Sequence, residues 1–196
     1  MKKIPTLFKK QYDGKKFVGI TNEVTPGMEW VLEGFGVATE KMDGSCCLIM
    51  DDTFYKRYDA KRGKTPPAGA IPCCEYDPET GHWPHWVLVD ENDPSDKWLV
   101  EAYRAYKKNH AYYIHNGTYE AIGPHFQGNP YNMVEDTLYC HGDIMISPPS
   151  GGWTFESIRE WLRENETSEG IVFWRDGAPQ CKIRRKDFGF KWPTNR

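Results

Sequence analysis

The stretch Thr39–Ser45, TEKMDGS in one-letter code, constrains this chain more than any other. It lies between two runs that read as strands, VLEGFGVA before it and CCLIM after it, so the backbone must turn where a lysine, an aspartate and a glycine stand together. The glycine supplies a permissive backbone and the close approach that a phosphate group needs. The lysine puts an amine at the mouth of the turn, and an amine in its free form is a covalent nucleophile. What the chain can do depends on whether the remaining residues supply partners for that amine.

With 196 residues the chain is long enough for one well-buried domain or two small ones, and one is expected, since no linker, repeat or low-complexity tract divides it. Charged residues at 27% and hydrophobic ones at 39% make a globular composition, and a formal net charge of −3 excludes a general polyanion binder. The cysteines fall as Cys46-Cys47, Cys73-Cys74, Cys140 and Cys181, without a CxxC, which is no secreted disulfide framework. No apolar signal region follows Met1 and no long apolar run occurs, so a soluble, cytoplasmic chain is expected. Cys73 and Cys74 precede His82 and His85, but a DPETG turn intervenes. An aromatic loop is the preferred reading there over a zinc site.

Taken in order, residues 1–20 suggest two short strands around a YDGK turn. Residues 21–36 are loop with a short apolar piece. After the lysine turn, Phe54–Tyr58 alternates as a strand, and Arg57, Lys61, Arg62 and Lys64 put four cations in eight residues. That hairpin is expected to bring the charge close to the Lys41 turn. Residues 66–94, rich in Pro and Trp, read as a structured insertion. Residues 95–108 read as a helix capped by Ser95, with Trp98, Leu99, Ala102, Tyr103 and Tyr106 at helical spacing. A strand GTYEAIG carries Glu120, and TLYCHGDIMI is a strand ended or bulged at Gly142. A helix begins at Thr154 or Ser157. SEGIVFWRDG and PQCKIRR are the last strands, with Lys182 and Arg184 on one face, and a basic tail follows.

A turn lysine, a cation cluster after it, Glu120, Glu169-Gly170 and Lys182-Ile183-Arg184 are together the parts that nucleotidyl transfer needs. Attack of an amine on the α-phosphate of a nucleoside triphosphate takes a nucleophile, a carboxylate for a divalent metal, and cations around the phosphates. Magnesium keeps waters and prefers oxygen donors, so one or two carboxylates suffice.

Lys41-Met42-Asp43-Gly44, Tyr119-Glu120-Ala121-Ile122-Gly123, Glu169-Gly170-Ile171-Val172 and Lys182-Ile183-Arg184 resemble motifs I, III, IV and V of the covalent nucleotidyltransferases. That superfamily holds the ATP-dependent DNA ligases, the RNA ligases and the mRNA capping enzymes. The wider stretches ATEKMDGSCC, GTYEAIGPHFQGNPY and KIRRKDFGFKWP look most like small RNA ligases of the RNA ligase 1 type. The resemblance implies an α+β fold: a single adenylyltransferase domain over residues 1–196, ATP-grasp-like, with antiparallel sheets flanked by helices and no OB domain. It implies ATP and Mg2+ (or Mn2+) as cofactors, RNA with 5′-phosphate and 3′-hydroxyl ends as partner, and a monomer.

By the same resemblance Lys41 is the lysine that becomes adenylylated, with Glu40, Asp43 and Gly44 around it at the nucleotide. Arg57 is similar to the arginine that contacts the nucleotide and steers the 5′-phosphate, with Arg62 as its competitor. Glu120 matches the glutamate near the ribose and Glu169 the one that organises the metal, Glu120 being a second metal candidate. Lys182 and Arg184 match the cations at the α-phosphate. Tyr139 and His141 both stand as candidates for stacking on the base. The implied reaction forms a lysyl-AMP, passes AMP to an RNA 5′-phosphate, and seals that end to a 3′-hydroxyl. A stand-alone nucleotidyltransferase and a nucleotide or RNA-end binding module are the alternatives. Arg185, Lys186, Lys191 and Arg196, with the Lys9–Lys16 region, are expected to compensate for a missing OB domain by backbone charge contacts.

Overall fold

The computed structural model describes residues 3–61, 63–110 and 114–194; Arg62 and Arg196 lie outside them. In chain order the first strands are β1 (Phe8–Asp13), β2 (Lys16–Val24), β3 (Val37–Lys41), β4 (Ser45–Met50), β5 (Thr53–Asp59), β6 (Ile71–Pro72) and β7 (Pro84–Leu88). Helix α1 (Lys97–Asn109) follows, then β8 (Gly117–Ile122), β9 (Thr137–Cys140), β10 (Met145–Ile146), helix α2 (Phe155–Glu164), β11 (Gly170–Arg175) and β12 (Ala178–Arg184). The chain divides into two compact units, one spanning Asp43–His141 and the other combining Ile4–Met42 with Gly142 onward. No helix among the described residues is long and apolar enough to cross a membrane.

The Asp43–His141 unit is a six-stranded sheet in the order β6-β7-β5-β4-β8-β9, antiparallel at each pairing. Period-two alternation divides its side chains between two faces. Cys47, Ile49, Phe54, Tyr119, Ala121 and Leu138 pack with Ala102 and Tyr106 of α1 to make its core. The Pro/Trp-rich stretch expected as an insertion is part of the sheet, since β7 pairs with β5 and Trp86 is buried. Asp96, buried before α1, accepts from Lys56 and from the Asp90 amide. The expected Ser95 cap is displaced: Asp93 accepts from the Ser95 amide and starts a short 3-10 turn at Pro94, with α1 continuing from Lys97. Proline at the first position of that turn loses nothing, because its missing N–H would have had no partner there.

The second unit holds the β1–β2 hairpin and a four-stranded antiparallel sheet in the order β10-β3-β11-β12. Helix α2 starts at Thr154, whose hydroxyl accepts from the Ser157 amide while the Ser157 hydroxyl accepts from the Thr154 amide. Each residue expected as its start is thus one half of a reciprocal cap. Ile158 and Leu162, both fully buried, bring α2 onto Ile171, Phe173 and Ile183. Each such aliphatic burial stabilises by about 1.5–3 kcal/mol. The run before Lys41 is a strand only from Val37 onward. Residues Glu29–Val31 form a 3-10 turn that buries Trp30 and Val31, and Gly34 and Gly36 hold positive φ angles of 83° and 74°.

The two strands flanking the lysine turn are therefore not a hairpin. β3 belongs to one sheet and β4 to the other, with Met42, Asp43 and Gly44 carrying the chain across.

Candidate active site

In the four-stranded sheet, register places Lys41 opposite Gly170 and Gly170 opposite Arg184. Two residues further along, Thr39 lies opposite Val172 and Val172 opposite Lys182. Directly opposed residues and their i±2 neighbours share a face, so Lys41, Lys182 and Arg184 stand together on it. Glu40, Ile171 and Ile183 fall on the other face, which is the core. Burial there pushes the Glu40 carboxyl above its ordinary range, against a hydrogen bond with the Ser168 hydroxyl that pulls it down.

The Lys41 Nζ ion-pairs with Glu169 and donates a second hydrogen bond to the Met42 carbonyl at 3.3 Å. Glu169 is 6% exposed and Lys41 22%, so the pair is largely withdrawn from water. Gly170 follows because nothing larger fits: a Cβ there would lie 2.2 Å from the Ile183 carbonyl oxygen and 2.9 Å from the Arg184 Cα. The Glu-Gly dipeptide thus sets the carboxylate beside the amine and lets β12 approach with its cations. Arg184 is braced by Asp187, which accepts from its Nε at 3.1 Å and from its Nη2 at 2.7 Å. Asp187 is fully buried, and this fork-on-carboxylate geometry fixes the guanidinium plane.

The second constellation lies on the face of the six-stranded sheet opposite α1. Cys46 pairs with Glu120 and Glu120 with Tyr139 across β4, β8 and β9. Arg57 follows Lys56 on β5 and is close enough for its charge to act on Cys46. Glu120 accepts from the Gly44 amide at 3.0 Å, and its other oxygen lies 2.8 Å from the His141 Nε2. The His141 Nδ1 lies 3.0 Å from the Thr118 hydroxyl. An isolated strand glutamate ordinarily faces solvent, whereas this one is 12% exposed and bonded on both oxygens. Burial first, then the Glu120 charge, pushes the Cys46 thiol up to about 12, so it stays protonated at neutral pH.

Gly44 meets a different demand from the phosphate approach expected of it: a Cβ would lie 2.1 Å from the Ala121 carbonyl oxygen, so β8 itself occupies that space. Two further residues hold the turn. The Asp43 amide donates to the Tyr131 hydroxyl at 2.6 Å, and the Gln127 side chain donates to the Gly44 carbonyl at 3.1 Å. Neither was singled out from sequence. The available signal was the density of Gln, Gly and Asn after Glu120, where Gln127, Asn129 and Asn132 adopt positive φ.

One sequence expectation needs correction. Arg185 is buried, and its guanidinium donates to the carbonyls of Leu162, Asn165 and Lys191, so it is a structural tie and not part of a basic RNA-facing tail. The Cys73, Cys74, His82 and His85 side chains form no common metal-compatible cluster among the described residues. His82 is paired with Asp59, and the His85 ring is buried against the Trp83 carbonyl. Among the described residues the metal-compatible cluster is Cys46, Glu120 and His141.

No family model matches the chain. The chain is similar to RNA ligase 1 of Danio rerio. The identity is 27% over 142 residues, taking in 59% of this chain and 43% of that protein, so the chain spans less than half the length of the relative it matches.

Proposed function

We propose that this chain is an ATP-dependent RNA ligase that works through a Lys41–AMP intermediate. The observation that carries the reading is the grouping of Lys41, Glu169 and Arg184 around Gly170: an amine, a nearly buried carboxylate bonded to it, and a braced cation in the next strand. The similarity to a protein named RNA ligase 1 supports RNA as the substrate class.

Nucleophilic attack needs the free amine, so the Lys41 ammonium proton must leave first, and Glu169 is the carboxylate already bonded to it. The Nζ lone pair then forms the N–P bond at the α-phosphorus of ATP. The α–β P–O bond breaks, and pyrophosphate leaves with the electron pair. Lys182 and Arg184 would offset the charge that builds on the α-phosphate oxygens. Glu169 offers a hard oxygen donor beside the nucleophile and suits Mg2+ or Mn2+, which would neutralise the triphosphate there. The 5′-phosphate of an RNA next displaces Lys41 from the AMP phosphorus, and the 3′-hydroxyl finally displaces AMP. The resemblance assigns contact with ribose and nucleotide to Glu120 and Arg57, with Tyr139 or His141 at the base.

The test is incubation with ATP or GTP, followed by peptide mass spectrometry and by addition of 5′-phosphorylated RNA. AMP on Lys41 and longer or circular RNA are expected, with no adduct in Lys41→Ala. An adduct persisting in that variant overturns the nucleophile. An adduct on Lys41 without RNA joining would make the chain a transferase to some other acceptor.

A further inference from the structure

The donor set around Glu120 is not one that suits magnesium. Cys46, Glu120 and His141 each turn one ligand atom toward the others, with these atoms all within 4.8 Å. A thiol and an imidazole are soft or borderline donors, whereas Mg2+ demands an octahedral shell of oxygens. We propose that these three residues form a binding site for a single zinc-like divalent cation, and that its occupancy excludes nucleotide.

Four features of the fold make this a prepared site. First, the ligands stand on a rigid ladder: Cys46 on β4 is directly opposite Glu120 on β8, and His141 follows β9 with its amide bonded to the Thr118 carbonyl at 3.0 Å. Second, the spacing is close to what the metal requires. Tetrahedral zinc with bonds of about 2.0–2.3 Å separates its ligands by roughly 3.3–3.8 Å, so only small side-chain shifts are needed.

Third, the histidine has a second partner that suits either state. Without metal, His141 Nε2–H can donate to Glu120 at 2.8 Å while the Thr118 hydroxyl donates to Nδ1 at 3.0 Å. With metal, Nδ1–H donates to the Thr118 oxygen, and the Nε2 lone pair is released for coordination. A hydroxyl serves both tautomers by rotating, which is how a histidine ligand is oriented from behind. Fourth, the Gly44 amide at 3.0 Å holds one Glu120 oxygen and leaves the other directed at the histidine. Three protein ligands leave the fourth corner of a tetrahedron for water. Binding displaces the Cys46 thiol proton to solvent, so metal capture releases one proton at that residue.

Exclusion of nucleotide rests on the reading of Glu120 given above: a carboxylate that coordinates metal is not available to a ribose hydroxyl. The outcome is a ligase inhibited by thiophilic metal while Mg2+ supports its chemistry.

The test uses the full chain, stripped of metal with a chelator and titrated with Co2+ under reducing conditions. One equivalent should produce a thiolate-to-cobalt charge-transfer band in the near ultraviolet, which Zn2+ then abolishes by displacement. Cys46→Ser and Cys46→Ala should both lack the band. Thr118→Val should bind about 10- to 100-fold more weakly, as expected on losing the residue that orients a histidine ligand. In parallel, Zn2+ should inhibit Lys41 adenylylation in competition with ATP, and the Cys46 variants should escape it. A folded wild type without the band, or a band that survives in both Cys46 variants, overturns the site. The band with adenylylation unaffected by saturating Zn2+ overturns the exclusion. The band in a protein that never adenylylates Lys41 supports the metal site and overturns the ligase reading, so the two failures are told apart.

Discussion

The Lys41–Glu169 pair allows a quantitative test, because its two members differ in burial. Glu169 is 6% exposed and Lys41 22%, so the interaction lies between the two regimes known for ion pairs. Exposed pairs contribute about 0.2–1 kcal/mol, and breaking a fully buried pair by removing one partner costs about 3–5 kcal/mol. With a fifth of the lysine still reached by water, the coupling expected here is about 1–3 kcal/mol. Glu169→Gln keeps the shape and removes the charge, while Lys41→Met keeps the stem and removes the amine. Urea unfolding of the wild type, both single variants and the double variant gives the coupling by difference. The double variant should lose less stability than the sum of the singles. A coupling below about 0.5 kcal/mol is what independent sites give and would refute the pair as a joint feature of the folded state. The catalytic side is read separately, by the rate of AMP transfer to Lys41 in Glu169→Gln. A loss of about 100-fold or more is expected on removing one group that stabilises developing charge. Wild-type adenylylation in that variant, with the coupling intact, would reduce Glu169 to a structural counter-ion.

Further outcomes follow from the same geometry. Gly170→Ala presses a methyl against the Ile183 carbonyl and the Arg184 Cα, which are backbone and cannot rotate away, so a loss of about 1–3 kcal/mol is expected in thermal or urea unfolding. Gly117→Ala, with nothing within 4 Å of the added carbon, is the control and should change little. Arg185→Met removes the donors to the carbonyls of Leu162, Asn165 and Lys191, of which the Leu162 bond is buried, and should cost at least about 1.5 kcal/mol, while exposed Lys186→Ala should be nearly neutral. Glu40→Gln should stabilise the protein at neutral pH. The Glu40 pKa is raised in the folded state above its ordinary 4.5, so between the two values the folded form binds more proton and stability falls as pH rises. The gain from Glu40→Gln should therefore grow through that window and vanish below it; melting curves from acid to neutral pH that stay parallel would contradict the assignment.

The strands carrying site residues were legible because their alternation is local. Lys182 and Arg184 two apart on β12 share a face whatever the rest of the chain does, and the cap at Thr154 is written in four consecutive residues. Partnerships across long separations were not legible. Nothing in TEKMDGS indicates that Tyr131 holds the Asp43 amide or that Ala121 presses on Gly44, because those contacts depend on the register of β4 with β8. The role of Arg185 is hidden from sequence for a related reason. Among neighbouring basic residues, composition assigns it to a charged tail, and only the tertiary fold reveals the carbonyls at the end of α2 and at Lys191 that take its donors. Cys46 gives no sign of its role in sequence, because a cysteine next to another cysteine carries no spacing signal, while the sheet sends the two to opposite faces. Cys47 enters the core, and Cys46 joins Glu120 and His141.

The crossing at Met42–Gly44 predicts that this short segment tolerates little change. In a hairpin, one turn geometry satisfies both strands, and substitutions at the turn are absorbed locally. Here the strands leave for different sheets, and each residue answers to its own partner. Lys41 answers to Glu169, the Asp43 amide to Tyr131, and Gly44 to both Glu120 and the Ala121 carbonyl. The period of two makes position as important as identity. A lysine one place earlier, at Glu40, would stand on the face packed against Ile171 and Ile183, with its ammonium directed into the core. The chemistry of the heptapeptide thus depends less on the residues it contains than on the register in which β3 meets β11, which sets the amine opposite Gly170 and, through it, level with Arg184.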